Sequence, residues 1–313
     1  MPDTQNAQNA NAASGALMII GGAEDRTDNK AILGRFVALA GGAERPLVVL
    51  TAASKMPDQV WELYRTALAD LGAGNVRHIP IADRADADDA ATADLVAGAG
   101  GIFMTGGDQK RLVAHLGGTR VEQAMREAYN ERGACIAGTS AGASALCTHM
   151  LAEGQAELAP EKGAVRLGAG LGFVHRVVID QHFSQRRRIH RLLSVVAQTP
   201  FLLGAGIDED TALIVHGRAG FEVMGEGTVT VLDCRGAKTN IADLRAGAVP
   251  TLVGVGLHLL PSGTAFAAPS DPAAAHTAAA AATAGSRLPA GAAPAPRALA
   301  DFLAFLTDRN DES

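Results

Sequence analysis

The chain has 313 residues, 48% hydrophobic and 19% charged, which supplies a core for one large α/β domain or two modest ones and excludes a disordered chain. A formal net charge of −6 gives no electrostatic basis for binding nucleic acid or an anionic membrane surface. Three widely spaced cysteines, Cys135, Cys147 and Cys234, form no C-x-x-C pair, so neither a disulfide framework nor a zinc site is expected and a reducing compartment fits.

Residues 1–14 are polar and rich in Asn and Ala, without the basic start and apolar stretch of a secretory leader. A disordered tail and a soluble, cytoplasmic protein are expected. The apolar run 16–20 is too short to span a bilayer and reads as a strand ending at Gly21-Gly22. Leu47-Val48-Val49-Leu50, Ile102-Phe103-Met104 and Cys135-Ile136-Ala137 repeat the pattern, and such continuous apolar runs suit strands buried on both faces. Helix-like stretches at 28–40, 56–72, 90–98 and 119–131 lie between them, so strand–helix alternation predicts a mostly parallel sheet covered on both sides. Ligands in such sheets bind beyond the strand C-termini, where Gly22, Gly107 and Ser140 all fall.

From about 164 the pattern shifts. A strand at 177–179 and a helix over 184–198 precede short strands near 202–203, 211–216, 222–224 and 228–232. This half reads as more antiparallel, but no linker sets it apart, so one catalytic α/β domain is expected over 15–264. Residues 265–296 are dominated by Ala, Pro, Gly and Ser and read as a low-complexity segment. Apolar spacing in 297–313 predicts a short C-terminal helix.

Gly138-Thr139-Ser140-Ala141-Gly142 fits G-x-S-x-G, between a strand-like run and Ala143-Ser144-Ala145-Leu146, which can start a helix. A serine on so tight a turn is held exposed at the sheet edge. The next amide, that of Ala141, points the same way as an oxyanion donor. Five-residue matches also arise by chance, so the competing reading is a plain βα turn in which Ser140 or Ser144 only caps.

A nucleophilic serine needs a base, usually histidine. Of nine histidines, His182 in Ile179-Asp180-Gln181-His182-Phe183 lies just past a predicted strand and before a helix. His115, His149 and His190 read as helix-surface residues, and His216 and His258 sit in or beside strands. An orienting carboxylate is available in Asp208-Glu209-Asp210, but three adjacent acids leave the choice open, and an acidic turn is the competing reading. With these residues the order is Ser…His…acid, unlike the Ser…acid…His of α/β-hydrolases. Arg186, Arg187, Arg188 and Arg191 cluster at the start of the helix predicted over 184–198. Cations there oppose the helix dipole, so an anion should offset them, either a substrate carboxylate or local acids. No metal-ligand cluster is visible, and no cofactor is called for.

Taken together, Gly21-Gly22, Gly106-Gly107-Asp108-Gln109, Gly138-Thr139-Ser140-Ala141-Gly142-Ala143, Asp180-Gln181-His182-Phe183 and Ile207-Asp208-Glu209-Asp210-Thr211-Ala212 occur in the order and spacing of cyanophycinases. The chain resembles that family from about 16 to 265, and the low-complexity segment departs from its pattern. The resemblance implies a serine peptidase that releases β-aspartyl-arginine dipeptides from cyanophycin, a polyaspartate carrying an arginine on each β-carboxyl. It also implies a homodimer and a three-layer α/β/α sandwich with a mostly parallel central sheet, like that of class I glutamine amidotransferases. By matched position, Ser140 is the nucleophile, His182 the base and Glu209 the orienter. The amides of Gly107 and Ala141 form the oxyanion hole, and Gln109, Asp180, Gln181, Arg186, Arg188 and Arg191 bind substrate, without metal or cofactor.

The alternative is an aspartyl or isoaspartyl dipeptidase of the same family, like peptidase E; the arginine cluster and Gln109 favour the polymer. A non-catalytic relative is disfavoured because Ser140, His182 and Glu209 are all present. A Rossmann nucleotide site is disfavoured because Gly21-Gly22-Ala23-Glu24-Asp25 lacks G-x-G-x-x-G.

Overall fold

The computed structural model describes residues 15–155, 157–268 and 288–307. The expectations for 1–14, for most of 265–296 and for 308–313 lie outside the described residues. In chain order the strands are β1 (Ala16–Ile20), β2 (Leu47–Leu50), β3 (Val76–Ile79), β4 (Gly101–Met104), β5 (Cys135–Thr139), β6 (His149–Gly154), β7 (Val165–Ala169) and β8 (Val177–Gln181). They continue with β9 (Leu203–Ile207), β10 (Thr211–His216), β11 (Gly220–Gly225), β12 (Thr228–Asp233), β13 (Lys238–Thr239), β14 (Leu252–Val253), β15 (Gly256–Pro261), β16 (Ala265–Ala267) and β17 (Ala293–Pro294). The helices are α1 (Ala31–Leu39), α2 (Pro57–Asp70), α3 (Arg84–Asp88), α4 (Ala90–Ala97), α5 (Gln109–Leu116), α6 (Arg120–Arg132), α7 (Ala141–Ala145), α8 (Ile189–Gln198) and α9 (Arg297–Thr307).

The apolar runs form the centre of a nine-stranded sheet in the order β17-β16-β11-β10-β1-β5-β4-β2-β3. Its β1, β5, β4, β2 and β3 are parallel, as the strand–helix alternation requires. β10 then pairs with β1 antiparallel, and β11 and β16 continue that half. Alternate residues of each central strand enter different cores. Met18, Ile20, Val49 and Phe103 pack against α1 and α2, whereas Leu17, Ile19, Leu50 and Met104 face the opposite layer. That alternation explains why these strands read as unbroken apolar sequence.

A second sheet, in the order β15-β12-β9-β8, lies beyond that opposite core. Ile179, Ala205 and Val231 point into the core shared with the large sheet, while Val178 and Leu232 pack with Leu192 and Val195 of α8. The second sheet, in the half read as antiparallel, therefore contains a parallel pair, β8 with β9, because α8 crosses over between them.

Several sequence expectations differ from the structure in detail. The helix expected over 184–198 starts at Ile189. His182 and Arg187 have φ of 49° and 54°, so residues 183–188 form turns rather than helix. His149, read as a helix-surface residue, opens β6, a strand fixed by pairing with β7 and by an edge contact of its ring with Phe201. Ala265–Ala267, counted by composition in the low-complexity segment, pairs with Gly220–Glu222 and extends the large sheet past residue 264. The C-terminal helix buries Leu299, Phe302, Leu303 and Leu306 in the shared core.

Phe103 is fully buried, with its ring edge-on to Phe36 at 5.3 Å and tilted on Tyr64 at 5.0 Å. Phe103→Ala is expected to destabilise the fold by about 3–5 kcal/mol through lost burial and the cavity left behind. Urea denaturation of the two proteins measures the difference.

Candidate active site

Ser140 directly follows β5 at φ 53° and ψ −111°, a region that non-glycine residues rarely occupy. The turn is tight enough that a Cβ on Gly142 would lie 2.4 Å from the Met104 carbonyl oxygen, so only glycine fits there. Ser140 Oγ lies 2.9 Å from His182 Nε2, and His182 Nδ1 lies 2.6 Å from Glu209 Oε1. With Nδ1–H donating to Glu209 Oε1, the Nε2 lone pair is left for the serine hydroxyl. The open choice among the three acids is thus decided by position. Asp208 accepts from the Ser184 amide and from the amide and hydroxyl of Thr228, and Asp210 accepts from the Asp25 amide.

Ser140 and His182 stand at the ends of strands in different sheets, and Glu209 follows β9 of the second. The segment that ends β1 joins them. The carbonyls of Ile20, Gly21 and Gly22 accept in turn from the amides of Ser140 at 3.0 Å, His182 at 2.8 Å and Asp210 at 2.9 Å. Gly22, at φ 99°, also makes room for the base: a Cβ there would meet imidazole Cε1 at 2.4 Å. On the other side of the serine, a Cβ on Gly106 would lie 3.3 Å from Ser140 Cβ, so Gly106, just after β4, abuts the Ser140 turn. Ala141 is the first residue of α7. Of the convergence expected at the strand ends, Gly22 meets the His182 imidazole and Gly106 meets Ser140, whereas a Cβ on Gly107 would meet the Ala53 carbonyl oxygen at 2.2 Å.

The remaining candidate residues form an interlocked polar group. Asp180 is 1% exposed and accepts a two-pronged ion pair from Arg191, 2.9 Å from Nε to Oδ2, with Arg188 Nη1 3.4 Å from Oδ1. Arg191 also donates to the Gly154 carbonyl at 2.7 Å, and Arg188 to Gln181 Oε1 at 3.0 Å. The anion that offsets Arg188 and Arg191 is thus the protein's own Asp180, while Arg186 remains exposed. Burial, against the pull of Asp180, pushes the Arg188 guanidinium down to about 10. Gln109 donates to the Leu151 carbonyl at 3.1 Å and so ties α5 to β6. Sequence reasoning missed Glu24, a buried carboxylate bonded to the hydroxyl of Thr139, the residue before Ser140. The only local signal was an acid just past a buried strand end. Among the described residues no His, Cys, Asp or Glu cluster is disposed to hold a metal ion, and no helix is long and apolar enough to cross a membrane.

Comparison with known proteins gives this geometry a family. The model for "Peptidase family S51" matches residues 17–223, a span that includes Ser140, His182 and Glu209. The chain belongs to peptidase family S51. Among its relatives, a cyanophycinase of Synechococcus elongatus is 37% identical over 253 residues, 80% of this chain and 79% of that protein. A cyanophycinase of Geminocystis herdmanii is 35% identical over 252 residues, 80% of this chain and 93% of that protein. The crystal structure of a peptidase from an acI-B1 actinobacterium superposes with a TM-score of 0.63 at 23% identity, covering 82% of this chain and 98% of that one. The last likeness speaks to the fold alone, a mixed α/β architecture with a mostly parallel central sheet.

In this S51 chain, burial holds the His182 imidazole below its ordinary value of 6.5; Glu209 opposes the shift, and the charges of Arg186 and Arg188 add to it. A general base works in its neutral form. The acid limb of kcat/KM is therefore expected below pH 6.5, with activity gained as pH rises through it. Arg186→Gln removes a cation that disfavours the imidazolium and should move the midpoint up, whereas Glu209→Gln should move it down and lower kcat. The pH–rate profiles of the three proteins check both signs.

Proposed function

We propose that this chain is a cyanophycinase: a serine-type exopeptidase that hydrolyses cyanophycin to β-aspartyl-arginine dipeptides through an acyl-enzyme. The carrying observation is the Ser140–His182–Glu209 relay, at 2.9 and 2.6 Å, in a chain 34–37% identical to cyanophycinases along about 80% of its length. Ser140 Oγ attacks the backbone carbonyl of a β-substituted aspartyl residue while His182 Nε2 takes its proton. Glu209 holds the imidazole tautomer and stabilises the imidazolium that forms. The amides of Gly107 and Ala141 bind the oxyanion, each donor contributing about 3 kcal/mol. Collapse of the tetrahedral intermediate expels the amine with the proton from His182. Water, deprotonated by the same imidazole, then attacks the ester, and release of the carboxylate regenerates Ser140.

Substrate recognition falls to the polar group beside the relay. In this reading Arg186 meets a substrate carboxylate, which is supported by its exposure and by the effect of its charge on His182. Gln109, Asp180, Gln181, Arg188 and Arg191 line the same region, and their mutual bonds pre-orient the groups that a charged polymer would meet. The catalytic unit in this reading is 15–264, with β16 and α9 docked onto it, working as a cytoplasmic homodimer without metal or cofactor.

Incubation with insoluble cyanophycin tests the proposal directly. Wild type should clear the suspension and release β-aspartyl-arginine, and Ser140→Ala should lower release by a factor on the order of 10⁴ or more. Folded wild-type protein that cleaves Asp-X dipeptides but leaves the polymer intact would falsify the substrate assignment. Arg186→Ala should raise KM for the polymer by about ten-fold, the loss expected of one charge-assisted contact.

A further inference from the structure

Beneath the nucleophile lies a carboxylate that the mechanism above does not use. Glu24, in the β1–α1 connection, is 2% exposed. Thr139 Oγ1 donates to its Oε2 at 2.5 Å, and the Tyr64 hydroxyl donates to its Oε1. Arg26 closes the group, donating to the Tyr64 hydroxyl at 3.2 Å and lying 3.6 Å from Glu24 Oε1. Burial first, and the charge of Glu24 second, hold the Tyr64 phenol well above its usual range, so it remains a donor. Removing a carboxylate from water is costly unless each oxygen is well bonded, and here both are. A charged acceptor makes a strong bond to each of two hydroxyls, and one of them is that of Thr139.

Thr139 is the residue before Ser140. The elbow sits in a strained backbone region, which persists only where the surroundings over-determine it. Its amide is tied to Ile20, and Gly142 is wedged against β4. The Thr139–Glu24 bond is the side-chain restraint on the residue immediately preceding the nucleophile, and it spans 115 positions of sequence. The carboxylate also belongs to the loop whose backbone carbonyls hold the amides of His182 and Asp210. One rigid segment therefore grips the serine side and the base side of the relay.

We infer that Glu24 is a positioning residue for the nucleophile. Through the Thr139 hydroxyl it holds the strained elbow so that Ser140 Oγ stays aimed at His182 Nε2, and Tyr64 and Arg26 hold Glu24 in turn. The inference rests on Ser140 being the nucleophile. It does not depend on the substrate being cyanophycin, because Glu24 touches the elbow and none of the proposed substrate-binding side chains. Loosening this restraint costs acylation, not substrate affinity.

The test compares Thr139→Val, which keeps the shape and loses the hydroxyl, with Thr139→Ser, which keeps the hydroxyl, and with Glu24→Gln. Three quantities are read for each: the rate at which a fluorophosphonate labels Ser140, kcat and KM for dipeptide release, and Tm. Thr139→Val should slow labelling and kcat by about ten-fold or more with KM within about two-fold, the signature of an interaction lost from the transition state alone. Thr139→Ser should recover most of that loss. Glu24→Gln should slow labelling less than Thr139→Val, and the double variant should be no slower than Thr139→Val, since both break one linkage. Labelling and kcat at wild-type levels in folded Thr139→Val would overturn the inference, even if its Tm fell. If Thr139→Val does not fold, unchanged labelling in Glu24→Gln does the same. Wild-type protein that is labelled but releases no dipeptide overturns the cyanophycin reading alone. Wild-type protein that is not labelled overturns both.

Discussion

The site depends on three consecutive carbonyls. Ile20, Gly21 and Gly22 accept from the amides of Ser140, His182 and Asp210, residues that come from the large sheet and the second sheet. Packing of apolar side chains brings two sheets together, but it does not set a serine oxygen within hydrogen-bond reach of an imidazole. Bonds to successive units of one backbone do, because neighbouring carbonyls stand at a spacing that covalent geometry fixes. The two glycines are needed for a second reason. A Cβ on Gly21 would lie 1.9 Å from the Asp208 carbonyl oxygen, and one on Gly22 would lie inside contact distance of the imidazole. Side chains here would push the base and its orienter away from the serine.

Electrostatics around the base follow from the same convergence. Glu209 favours the imidazolium, while burial and the charges of Arg186 and Arg188 oppose it, and the opposing side prevails. The balance favours the neutral imidazole, the form whose Nε2 can accept a proton. Arg188 and Arg191 are themselves held by Asp180, and Arg191 reaches across to the Gly154 carbonyl of β6. A buried ion pair of this kind is weak as a source of stability, but it orients its members. In this chain it joins β8, the turn before α8 and the β6–β7 hairpin into one block beside the base.

Features whose causes lie within a few residues were legible in the sequence. Unbroken apolar runs ended by glycine marked the central strands. G-x-S-x-G between a strand and a helix marked an elbow, because backbone crowding at that turn depends on residues 138–142 and the strand beside them. His182 stood out for its place at a strand end, and the Ser…His…acid order separated the chain from α/β-hydrolases. The exact start of α8 was not legible: His182 is held by Gly21, Ser140 and Glu209, all distant in sequence, and Arg187 takes a left-handed φ in the turn that follows. Nor was β16, where pairing with β11 overrides a composition that reads as unstructured.

The sequence by itself determined the strand-to-helix order, the elbow and the small set of residues from which a relay could be drawn. Only the tertiary structure decided that Glu209, not Asp208 or Asp210, meets His182, that Asp180 is the anion facing Arg188 and Arg191, and that Glu24 grips Thr139. The physical reason is range. Backbone sterics and side-chain periodicity act over a few residues, so they leave a mark in the local pattern. A hydrogen bond between residues 24 and 139 acts over a few ångströms of space that only the folded chain brings together.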